Sequence, residues 1–178
     1  MTRFIIILSL FIASFHTAFA QHVGIKTNGV YWGALSPNLG VEVSFADRSS
    51  VVLDGMMNLW TFKGNKKVNF LAVQPEYRYW FCQNLSRHFA GFHLHYANYN
   101  AGLKERRYNG HLYGAGFSYG YQWYLAPRWN LEATVGAGYA YMDYDIYKRP
   151  RCGAFLGTGN RHYWGLTKLG ISIVYIIK

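Results

Sequence analysis

The chain has 178 residues and a formal net charge of +10, and it is 51% hydrophobic, 19% aromatic and only 15% charged. A charged fraction well below the ~25% of soluble proteins, beside so many aromatics, excludes a disordered, charge-solvated chain. Two cysteines exclude a disulfide-built scaffold, and the length suits a single domain.

Arg3 precedes an apolar run from Phe4 to Phe15, broken only by Ser9 and Ser14, and Ala18-Phe19-Ala20 follows as a cleavage site. Residues 1–20 therefore read as a signal peptide, leaving 21–178 as one exported domain. The run is too short to span a membrane comfortably, no cysteine marks a lipid anchor at the cut, and no later stretch reaches the ~20 apolar residues of a membrane helix.

Alternation and turn residues then predict eight strands, near 22–32, 39–46, 50–60, 70–82, 89–99, 110–124, 129–144 and 163–177. The pattern is clearest around Pro127. Tyr113, Ala115, Phe117, Tyr119, Tyr121 and Trp123 alternate with glycine and polar residues, and Leu131, Ala133, Val135, Ala137, Tyr139 and Tyr141 do the same. Connectors near 47–49, 83–88 and 125–128 are short, whereas those at 61–69, 100–109 and 145–162 are longer. The expected fold is all-β, an eight-stranded antiparallel up-and-down transmembrane β-barrel with a side-chain-filled lumen and both termini at the short-turn end.

Applied strand by strand, the alternation puts Leu39, Val41, Val43 and Phe45 outside, with Val51, Leu53, Met57 and Leu59, then Val73, Tyr77, Tyr79 and Phe81, then Leu169, Ile171, Ile173 and Tyr175. The opposite face collects Lys26, Glu42, Asp54, Glu76, Arg78, Glu132 and Lys168, whose charges nearly balance. Unpaired burial of any of them is costly, so a mutually satisfied polar network is expected, with no open channel. A soluble lipocalin-like barrel, with apolar residues inside, shares this alternation. The richness of the apolar face in Tyr, Trp, Leu and Ile favours the membrane form.

Candidate chemistry is sparse. His93 and His95 share one face of the fifth strand and suit a metal ligand pair or a general base, but no third ligand and no serine at catalytic spacing accompanies them. Neither a cofactor nor an enzymatic activity is expected. Cys82 and Cys152 are placed at opposite ends of the barrel, too far apart to bridge. Pro75, inside a strand, removes a ladder donor. Lys63, Lys66, Lys67, Lys104, Arg106, Arg107, Lys148, Arg149, Arg151 and Arg161 gather in the longer loops, where anionic lipopolysaccharide or surface glycans are natural counter-charges and nucleic acid is not.

The last strand, Lys168 to Tyr175, resembles the C-terminal signal that hands outer-membrane barrels to their insertion machinery, although Ile176-Ile177-Lys178 follow the aromatic. Gly24-Ile25-Lys26-Thr27-Asn28, Pro37-Asn38-Leu39-Gly40-Val41-Glu42, Gln74-Pro75-Glu76-Tyr77-Arg78-Tyr79-Trp80 and Gly91-Phe92-His93-Leu94 resemble a family of small exported barrels, a domain of unknown function common in Bacteroides-like bacteria. Tyr113-Gly114-Ala115-Gly116 through Gly120-Tyr121 and Trp129 through Tyr139 extend the match. The resemblance implies an outer-membrane location and, for some members, a link to surface-fibre systems; it supplies no reaction or catalytic residue. The expected function is therefore non-enzymatic: an outer-membrane barrel presenting basic loops for binding or supporting surface assembly. A lipid- or lipopolysaccharide-modifying enzyme using His93 or His95, and a narrow transporter of small hydrophobic molecules, stand as alternatives.

Overall fold

The computed structural model describes residues 22–62, 66–102, 106–148 and 153–177. The signal segment read at residues 1–20 lies outside them.

Eight antiparallel strands follow chain order around a closed ring: β1 (Val23–Asn28), β2 (Asn38–Ala46), β3 (Ser49–Phe62), β4 (Lys66–Trp80), β5 (Arg87–Gly102), β6 (Arg106–Ala126), β7 (Trp129–Lys148) and β8 (Phe155–Ile176). β1 closes the ring by pairing with β8, Gly24 opposite Ile176. Paired residues traced from Gly24 run Glu42, Val52, Glu76, His93, Gly116, Gly138 and Gly165. The path returns to β8 eleven positions short of Ile176, and the bulge that leaves Thr167 unpaired accounts for one of them. A stagger of ten over eight strands corresponds to a strand tilt of about 40°.

Two regions depart from the sequence reading. The predicted first strand stops at Asn28, and Gly29–Gly33 forms a short helix, α1. Val30 and Trp32 look like strand alternation, but the Asn28 side chain accepts from the Val30 N–H as a helix N-cap at 3.0 Å. The same side chain continues the sheet beyond its last backbone pair. Its Nδ2 donates to Leu169 O at 3.1 Å, and its Oδ1 accepts from Ile171 N at 3.3 Å, so the edge of β8 meets an amide where the next residue of β1 would stand.

The second departure is in the taller strands, β8 beside β1 among them. The connectors read as long loops are largely strand: β6, β7 and β8 run to Arg106, Lys148 and Phe155. Arg106, Arg107 and Lys148 therefore sit on strand ends and Arg161 inside β8 rather than in loops, and Lys66 and Lys67 open β4. Polar residues on both faces hid the alternation there. Cross-strand ring contacts sustain the ladder instead, with centroids 5.5 Å apart for Tyr108–Tyr144 and 5.6 Å for Tyr147–Phe155. Lys63, Lys104, Arg149, Arg151 and Cys152 fall outside the described residues.

The short turns gather at one end. Pro127 and Arg128 alone join β6 to β7 past the Ala126–Trp129 pair, Arg128 taking a φ of 72°, as the residue after proline does in a type II turn. Cys82, exposed and unbridged, lies beside the β4–β5 turn at this same end. Pro75 keeps its partner Leu53 on β3, but the ladder to β5 lapses between Val73 and Glu76, as expected where a donor is missing.

Candidate functional site

The inward face is the charged one. Glu42, Glu76, Arg78 and Glu132 are at most 2% exposed, while outward Leu59, Phe117 and Trp164 are 69%, 73% and 77% exposed. The faces are therefore arranged as the alternation predicted, charged inside and apolar outside, opposite to the lipocalin-like arrangement.

All seven charged residues read from the alternation meet inside the ring. Arg78 on β4 is the centre: its Nε donates to Glu76 Oε2 at 2.8 Å, Nη1 to Glu42 Oε2 at 3.0 Å and Glu132 Oε2 at 2.7 Å, and Nη2 to Glu132 Oε1 at 2.9 Å. The two-pronged contact with Glu132 uses the planar fork that lysine lacks. Lys168 bridges Asp54 and Glu76, each at 2.9 Å, and Lys26 lies 3.4 Å from Glu132 and 3.8 Å from Asp54. Hydroxyls occupy further carboxylate lone pairs: Ser50 donates to Glu42 at 2.6 Å, Thr134 to Glu132 at 2.8 Å, and Ser118 to Glu76. Three cations against four carboxylates, cross-linked in this way, form a buried lattice rather than a docking site for a soluble charge.

Toward the short-turn end the interior becomes apolar. Phe89 lies beneath the guanidinium, 4.1 Å from Arg78 Cζ to the ring centroid, and Trp80 packs on Phe89 at 4.8 Å. Leu85 from the β4–β5 turn completes this cap, and Trp80 Nε1 donates to Ser50 at 2.9 Å, tying the cap to the ionic layer. Small residues stand opposite these large groups. A Cβ at Gly116 would lie 2.8 Å from His93 Nε2, and one at Gly91 would lie 2.6 Å from Glu76 Oε1.

Above the ionic layer, His93 and His95 point inward with ring centroids 5.7 Å apart. His93 is fully buried, and its Nε2 lies 2.9 Å from Thr167 Oγ1, the residue exposed to the interior by the β8 bulge. No alternation rule foresees that contact, because the bulge brings two consecutive residues inward. His93 Nδ1 and both ring nitrogens of His95 have no hydrogen-bond partner among the described residues, and no cluster of three metal-binding side chains is found among them. The enclosed space beside the lattice, lined by Lys26, Tyr31, Asp54 and Lys168, is about 20 Å³, room for little more than one water.

Outward-facing aromatics form two girdles. At the short-turn end, Trp123 packs on Tyr121 at 4.7 Å and Trp129 on Tyr175 at 4.9 Å, and Tyr119 bonds His88 Nδ1 at 2.6 Å. At the far end, Tyr96 bonds His111 Nδ1 at 2.9 Å, Tyr139 bonds His162 Nδ1 at 2.6 Å, and Trp164 stacks beside Tyr139 at 4.8 Å. Beyond the second girdle Arg106, Lys148 and Arg161 are exposed, and Arg107 sits 5.1 Å over the Tyr147 ring. Asp143 and Asp145 share this end and offset part of its positive charge.

No curated protein and no solved structure shows significant similarity to the chain. A family model described as a protein of unknown function (DUF3575) matches residues 4–177, nearly the whole chain. With that coverage, the chain belongs to the DUF3575 family.

Proposed function

We propose that this protein is an integral outer-membrane β-barrel, exported through a cleavable signal peptide, that acts without catalysis by presenting its basic far end to anionic lipopolysaccharide or to surface structures under assembly. The observation that carries the reading is the inverted ring: an apolar outer face between two aromatic girdles around an internally paired ionic core. From Trp164 to Tyr175 the outward residues of β8 cover ten strand rises once the bulge is discounted, which at about 40° of tilt is about 25 Å. That height matches the apolar band of an outer-membrane barrel. Aromatic rings whose polar tips are tied to histidine suit the headgroup level on either side. A charged face exposed to lipid would be expelled, and the same face turned inward and neutralised is tolerated.

The barrel-insertion machinery is the partner that delivery requires. The lipid-modifying alternative has a hydroxyl–imidazole contact in His93 and Thr167; the complete burial of His93 weighs against it, whereas His95 is half-buried and has no hydroxyl beside it among the described contacts.

Membrane fractionation and electrophoresis with and without boiling test the location. The chain is expected in the outer-membrane fraction, with a compact unboiled band that shifts on heating. A soluble periplasmic protein without a heat shift sinks the reading. For the far end, lipopolysaccharide binding by the folded barrel is expected to fall steeply with added salt, and to weaken about ten-fold when Arg106, Arg107 and Arg161 are replaced together by alanine. Binding unaffected by salt and by the triple substitution would remove the basic end from the function.

A further inference from the structure

The ring is complete over only part of its height. β1 and β2 end at Asn28 and Asn38, while β3 continues to Phe62 and β8 begins as far up as Phe155. Above the Asn38–Met56 and Asn28–Ser172 pairs, β3 and β8 therefore face each other across a notch. Its β3 side is finished by the segment after α1: Pro37 O accepts from Met57 N at 3.0 Å, and Leu35 O from Trp60 Nε1 at 2.7 Å. Helix α1 stands in the notch, with Tyr31 lining the enclosed polar space and Trp32 half-exposed outside.

At the foot of this notch an open groove of about 310 Å³ runs over the outer face, bounded by Trp32, Pro37, Leu39, Met57, Leu71 and Val73. Its floor is Gly55, where a Cβ would meet nothing nearer than Leu39 O at 3.8 Å. The flanking residues on β2, β3 and β4 are the outward, apolar ones, so the groove is continuous with the surface that faces lipid in the reading above. Asn38, Leu39, Gly55 and Met56 line both this groove and the enclosed polar space, making a wall one layer thick between hydrocarbon and the ionic lattice.

We propose that this groove is a binding site for the hydrocarbon tail of a membrane lipid, seated against Gly55 and held by Trp32 at the foot of the notch. The proposal rests on the membrane reading. The occupant follows from the lining: apart from Asn38 the side chains that wall the groove are apolar, and the phase they meet in that reading is acyl chain. The thin wall makes this a seat rather than a channel, because the space behind it is charged and takes no methylene group.

The test is photolabelling. The wild-type chain, inserted in phosphatidylethanolamine/phosphatidylglycerol vesicles, is irradiated with a palmitoyl phosphatidylethanolamine carrying a diazirine on its tail, and the labelled peptides are mapped. Labelling of the peptides bearing Trp32, Met57 and Leu71 is expected to exceed that at Phe117, on the far side of the ring, by about ten-fold. Gly55→Phe sets a ring in the groove from a Cβ that meets nothing nearer than 3.8 Å, and it is expected to bring the two levels together while the heat-shifted band persists. Uniform labelling of the inserted wild-type chain, or unchanged labelling in folded Gly55→Phe, overturns the proposal and leaves the membrane reading standing. Should Gly55→Phe not fold, the wild-type distribution decides alone. Failure of the wild-type chain to enter vesicles overturns both.

Discussion

Arg78→Met is expected to destabilise the folded barrel by about 3–5 kcal/mol, the cost of removing one member of a buried ion cluster and leaving its partners charged. The guanidinium is wholly buried and meets three carboxylates within 3.0 Å. Without it, Glu42, Glu76, Glu132 and Asp54 face only Lys26 and Lys168. Methionine retains much of the stem volume and can still pack on Phe89, so the loss isolates charge rather than shape. Adding Glu42→Gln and Glu132→Gln to Arg78→Met is expected to recover most of the loss, because the burial penalty then falls on neutral amides. Urea titration of the folded chain, followed by tryptophan fluorescence, reads both variants. A single variant as stable as wild type would show that water reaches the layer and screens it. A triple variant no better than the single one would show that Arg78 matters by shape.

The ionic layer was legible because strand geometry has a period of two. Once Val41, Val43 and Phe45 are set outward, Glu42 has only the inside left, and the same step places Glu76 and Arg78 on β4 and Lys168 on β8. The register of the antiparallel pairs, which alternation does not fix, then brings the seven charges together. What escaped reading was local. Asn28-Gly29 carries an N-cap signal, but Val30 and Trp32 imitate a strand, and five residues are too few for helical periodicity to show. The bulge at Thr167 is a single insertion that alternation absorbs as noise, yet it creates the contact with His93. The far ends of β6, β7 and β8 were hidden because Arg, Asp, Asn and Tyr on both faces look like loop, and the strand shows only in the backbone register and in the ring contacts of Tyr108 with Tyr144 and Tyr147 with Phe155.

The interior that results is layered. An apolar cap of Trp80, Leu85 and Phe89 closes the short-turn end, the ionic lattice fills the middle, and the two histidines lie above it. Each layer uses the one below: the Phe89 ring supports the guanidinium, and the Ser50 hydroxyl bonds both Trp80 and Glu42. The notch lies where this filling ends, because β1 and β2 contribute no rungs above Asn28 and Asn38.

Gly138→Val is expected to cost about 3 kcal/mol or more, at the upper end of overpacking penalties, and Gly138→Ala about 1–3 kcal/mol. Gly138 on β7 pairs with Gly116 on β6 at the level of His93, and the two strands approach closely there. A Cβ at Gly138 would fall within contact of the Ala115 carbonyl oxygen and 2.5 Å from Gly116 Cα, both backbone atoms. Backbone in a continuous ladder cannot swing aside as a side-chain tip can, so the β6–β7 pairing itself must open. Gly40 offers the contrast: its Cβ would crowd Asp54 Oδ1 and the Lys26 stem, which are side-chain atoms able to shift. The folded fraction after refolding, read by tryptophan fluorescence, is expected to fall from Gly40→Ala to Gly138→Ala to Gly138→Val. A Gly138→Val chain that folds with wild-type urea resistance would mean that β6 and β7 stand further apart than their pairing requires. The close approach would then lose its place as the reason glycine fills this face.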